Sequence, residues 1–119
     1  MLTTPVSLPA ASPLPSALPL EQIVGAVTAD AAVVLAQALH EFQTDGLSFE
    51  AKMRVGDLIA RLFELRLCAG QIDFYAVARA RGARLLQERH GKDLDARAIA
   101  VLIDAVIESL QQIVRTELN

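Results

Sequence analysis

From residue 20 onward the apolar positions recur at helical spacing. Over 20–44, Leu20, Ile23, Val24, Val27, Ala31, Val34, Leu35, Ala38 and Phe42 fall at i, i+3, i+4, i+7, which predicts an amphipathic helix. A second helix is predicted over 49–69, after Ser48 as N-cap, burying Val55, Leu58, Ile59, Leu62, Phe63 and Leu65. The third, over 74–90 behind Asp73 as N-cap, has the weakest face: Phe74, Ala78 and Leu85, with Tyr75 and Leu86 at its edge. Gly82 falls in that face, where it costs about 1 kcal/mol against alanine unless it admits a neighbouring helix closely. The fourth, over 94–118 and starting at Asp93 or Asp95, has the widest stripe: Ile99, Leu102, Ile103, Val106, Ile107, Leu110, Ile113 and Val114. By that width it is the expected central helix.

Gly46, Gly70 and Gly91 each follow one of the first three stretches, as expected of glycines that close helices in the left-handed conformation. The short connections around them predict antiparallel neighbours. The fold class is therefore all-α, a four-helix bundle-like domain over 20–119. At 1.5 Å per residue the first and last helices run about 37 Å and the third about 25 Å. Unless the first helix breaks near Gly25 or Thr28, apolar residues overhang at an end of the first or fourth helix, and a second chain is expected to cover them.

Residues 1–19 read differently. All five prolines lie there, and the first charged residue is Glu21. Proline fixes φ and disfavours helix in the residue before it, so this leader is expected to be extended or disordered. The proline spacings contain no PxxP motif, and a secretory signal is not expected without a basic n-region or an unbroken apolar run. Leu2, Leu8, Leu14 and Leu18 nevertheless make the segment more adhesive than a plain linker.

Composition narrows the function. With 53% hydrophobic but only 4% aromatic residues in 119, the core must be aliphatic, and disorder of the whole chain is excluded. One cysteine, Cys68, allows no internal disulfide and no CxxC motif, which suits a cytoplasmic protein. The net charge of −3 is unevenly distributed: residues 1–49 carry −4, residues 50–92 carry +4, and residues 93–119 carry −3. Antiparallel helices with such charges attract one another, and the basic middle also suits an acidic partner.

Site chemistry is sparse. His40 and Glu41 stand in HEFQT without the second histidine of a zinc-binding helix, and neither GxGxxG, GxxxxGK nor GxSxG occurs. Cys68 lies off the apolar stripe, far from a helix N-terminus, where a reactive thiolate is not expected. No catalytic residue, metal site or cofactor is expected. Glu21, Gln22, Asp30 and Gln37 interrupt the first helix, so no membrane span is expected either. Arg66 falls within the stripe of the second helix. Its place in the last turn lets it snorkel toward solvent, the alternative being a pair with Asp30 or Glu117.

The densest basic run is 78–92, ARARGARLLQERHGK. Arg79, Arg81 and Arg84 there would read a major groove if the second and third helices formed a helix-turn-helix. That pattern fits poorly, with Arg66 where a small residue is expected and Gln71 where an apolar one closes the turn. The expectation is a non-catalytic protein-interaction or assembly module, a homo-oligomer or a subunit of a larger complex. Its candidate partner-binding residues are Arg79, Arg81, Arg84, Leu110, Ile113 and Val114. The alternatives are a small helix-turn-helix-like DNA-binding protein and a secretion-related adaptor or chaperone.

Overall fold

The computed structural model describes residues 19–45, 49–70 and 72–118. They form four α-helices, α1 (Leu20–Asp45), α2 (Phe49–Cys68), α3 (Phe74–His90) and α4 (Ala96–Leu118), with no strand among the described residues. The fold is an all-α four-helix bundle. The leader over 1–18, residues 46–48 with Gly46 and Ser48, and Gln71 lie outside the described residues.

Local chemistry accounts for the helix ends. Asp73 caps α3, its carboxylate accepting from the Ala76 amide at 3.4 Å, and Asp95 rather than Asp93 caps α4, accepting from the Ala98 amide at 2.7 Å. Gly70 closes α2 with φ +64°, the left-handed conformation expected of it. Gly91 corrects the same expectation: it is right-handed, φ −65° and ψ −14°. The chain coils onward instead of reversing there, and the Asp93 and Leu94 amides both donate to the His90 carbonyl at 3.0 Å.

The core is aliphatic. Val24, Val27, Ile59, Leu62, Leu86, Leu102, Ile103, Val106, Ile107 and Leu110 are buried in one cluster. Yet α1, not α4, is the most enclosed helix. It packs on all three others, most extensively on α3. Small residues at Gly25, Thr28, Ala29, Ala31, Ala32 and Ala38 bury it on several sides. Consecutive α2 and α3 are not lateral neighbours and approach each other only sparsely. The expected side-by-side packing of every consecutive pair therefore fails at this step, where both helices pack on α1 and α4 instead.

The α1–α3 crossing depends on two glycines. A Cβ on Gly82 would stand 2.6 Å from Thr28 Cγ2 and 2.8 Å from Thr28 Cβ, while one on Gly25 would stand 2.5 Å from Arg81 Cβ. Each glycine thus faces a side chain of the opposite helix. Thr28 is fully buried, and its hydroxyl donates to the Val24 carbonyl at 2.7 Å, so its polar atom is satisfied inside its own helix. The cost of Gly82 to its helix is offset by this close approach, and Leu86 rather than Leu85 becomes the fully buried leucine of α3.

Gly56 has no such role: it is exposed inside α2, with nothing near the place of a Cβ. Gly56→Ala is therefore expected to raise stability by about 0.5–1 kcal/mol through helix propensity alone, read as a higher denaturation midpoint. An unchanged or lowered midpoint would contradict its placement on a free helical surface.

Candidate interaction surface

The arginines of α3 are engaged by the chain's own acids. Arg81 reaches Glu21 of α1 at 3.1 Å, Arg79 reaches Asp104 of α4 at 3.1 Å, and Arg89 reaches Asp30 of α1 at 3.3 Å. Arg84 pairs within α3 with Glu88 at 3.5 Å. The basic middle of the sequence thus lies against its acidic flanks. Such exposed pairs contribute only about 0–1 kcal/mol each, so their main consequence here is a surface of balanced charge. A depression of about 380 Å³ between α1 and α3 carries both signs, with Arg81, Arg84 and Arg89 beside Glu88.

Arg66 leaves the core as expected of a last-turn arginine, but its partner is neither Asp30 nor Glu117. Its guanidinium lies 5.5 Å from the centroid of Tyr75, whose ring meets Phe74 edge-on at 5.9 Å. A cation over an aromatic face is attracted by the ring quadrupole, which ties the end of α2 to the start of α3. Cys68 is exposed. Among the described residues no group of three or more His, Cys, Asp or Glu is placed to hold a metal.

Leu110 is fully buried and belongs to the chain's own core, so the structure does not present it to a partner. Ile113 and Val114 are half-buried at the edge of that core. The accessible apolar surface lies elsewhere. An open depression of about 570 Å³ forms where α1 nears its end and α4 begins. Ala36, Leu39, Leu94, Ala98 and Val101 line it, and His40, Asp95 and Arg97 add polar groups. Val101 is 60% exposed and Leu39 48%. Phe49 and Met53, one turn apart at the start of α2, are also exposed.

These positions were not singled out by sequence. Val101 carried a legible signal, since it stands opposite the Ile99, Leu102 and Val106 stripe as an apolar residue on the outer face of α4. Leu39 continues the stripe of α1, and only the placement of its neighbours exposes it. α1 also contains a stretch, Leu20–His40, long and apolar enough to cross a membrane; half of it is buried inside this fold. No known protein family, curated protein or solved structure matches the chain.

Proposed function

We propose that the chain is a non-catalytic helical protein-interaction and assembly module, acting as a homo-oligomer or as a subunit of a larger complex. The observation that carries this reading is the apolar depression between α1 and α4, where Leu39 and Val101 stay in water. An apolar hollow with a few polar groups at its edge has the anatomy of a protein-docking patch. The long apolar stretch of α1 is read as a core helix, because Gly25 and Thr28 lie in close contact with α3 and Ala29, Ala31, Ala32 and Ala38 are buried. A cytoplasmic location fits the single cysteine.

A DNA-binding role through α3 has less support. A recognition helix offers its basic side chains to phosphates and base edges, whereas Arg79, Arg81 and Arg84 here meet Asp104, Glu21 and Glu88. The test is capture from the native host with tagged wild type and with Val101→Lys. Wild type is expected to retain a protein partner that the variant loses. Equal capture by both, or recovery of nucleic acid alone, would contradict the reading.

A further inference from the structure

We infer that α2 pairs with α2 of a second copy of this chain, side by side and parallel, along an exposed apolar line on its outer side. The inference is carried by a different face from the α1–α4 depression and does not rest on it. Of the five large apolar residues exposed among the described residues, Phe49, Met53 and Leu67 stand on α2, at 75%, 49% and 55%. Phe49, Met53, Gly56, Ala60, Phe63 and Leu67 follow one another at alternating steps of four and three. At about 100° per residue all six fall within about 40° of one line along the helix. No polar side chain interrupts it. The line is turned away from Ala51, Ile59 and Leu62, which α2 buries, and only Phe63 is half-covered by the core. This is the repeat by which one helix seats its side chains between those of another helix. An apolar line of that spacing fits a helix as its partner, and without one it stays in water.

Charge on the two sides of the line selects which helix and which direction. One flank carries Glu50, Asp57 and Glu64, directly after Phe49, Gly56 and Phe63; the other carries Lys52 and Arg66, directly before Met53 and Leu67. In a parallel pair each flank meets the opposite flank of its neighbour, and the repeat sets Lys52 against Asp57 of the other copy, twice by symmetry. In an antiparallel pair each flank meets its own kind: Glu50 meets Glu64, Asp57 meets Asp57, and Lys52 meets Arg66. The register of the apolar line fixes these encounters, so one orientation attracts and the other repels. α2 thus holds both halves of the match, and a second copy satisfies it without any other partner.

The test is sedimentation of the full chain across the micromolar range. Wild type is expected to dimerise, and Met53→Glu to weaken the dimer at least about tenfold, as at a central apolar contact. Met53 is exposed, so melting of that variant below the dimerisation range should match wild type. Lys52→Glu and Asp57→Lys should each weaken the dimer. An equimolar mixture of these two should regain it, because both cross-pairs are again opposite in sign. Orientation is read from a nitroxide label on the exposed Cys68, the last residue of α2. Two labels in a parallel pair lie about 20 Å apart, whereas an antiparallel pair of 20-residue helices puts them beyond about 30 Å. A monomeric wild type, undiminished association of Met53→Glu, no recovery in the mixture, or the longer separation would overturn the inference. Capture of another protein by a monomeric wild type, lost with Val101→Lys, would remove the α2 pairing and keep the α1–α4 docking face. A dimer lost with Met53→Glu, alongside capture indifferent to Val101, would keep the pairing and remove the docking face.

Discussion

Leu110→Asp is expected to unfold the chain or leave it marginally folded, with a loss of at least about 4 kcal/mol. The leucine is fully buried in α4, within the cluster that includes Val106 and Ile107. Removing it opens a cavity, and the carboxylate that replaces it must be protonated or hydrated in an aliphatic setting that contains few polar atoms. Total stability of a domain this size is about 5–15 kcal/mol, so the loss consumes much or all of it. Circular dichroism under denaturant reads the result directly, and Leu110→Ala, at about 2–5 kcal/mol, separates the cavity from the charge. A melting curve like that of wild type would mean that α4 faces the other way.

Gly82→Ala is expected to destabilise by about 1–2 kcal/mol, even though alanine favours a helix over glycine by about 1 kcal/mol. The atom in the way is not the end of a flexible side chain. It belongs to Thr28, whose Cγ2 and Cβ would lie 2.6 Å and 2.8 Å from the new methyl group, a β-branched residue whose hydroxyl is hydrogen-bonded to its own helix. The helices must therefore part, and contacts along the α1–α3 seam loosen with them. Thr28→Ala removes Cγ2, the nearest atom, and should recover part of the loss in a double-mutant cycle. Gly56→Ala is the natural comparison, since it makes the same chemical change without a neighbour. Stabilisation of similar size at both positions would show that α1 and α3 are not in close contact.

The existence and order of the helices were legible because bulky apolar residues repeat at helical spacing through the chain. Asp73 and Gly70 mark ends with side-chain and backbone chemistry that does not depend on tertiary context. The arrangement was less legible. A count of bulky residues favours α4 as the centre, but enclosure on several sides selects small ones, and Ala29, Ala31, Ala32 and Ala38 carry little weight in such a count. The arginine face of α3 was visible as a basic run, yet its partners Glu21 and Asp30 are about sixty residues away in sequence. No local pattern distinguishes a basic surface from one closed by the chain's own acids. Leu39 was hidden for a related reason: its exposure depends on where α4 begins beside it.

Docking of a protein at the α1–α4 face, rather than of nucleic acid on α3, is tested most directly by hydrogen exchange. The chain is compared free at low concentration and in its assembled state. Added protection is expected in residues 33–40 and 94–102, around Leu39 and Val101. Added protection confined to residues 79–89, along the arginines of α3, would contradict it.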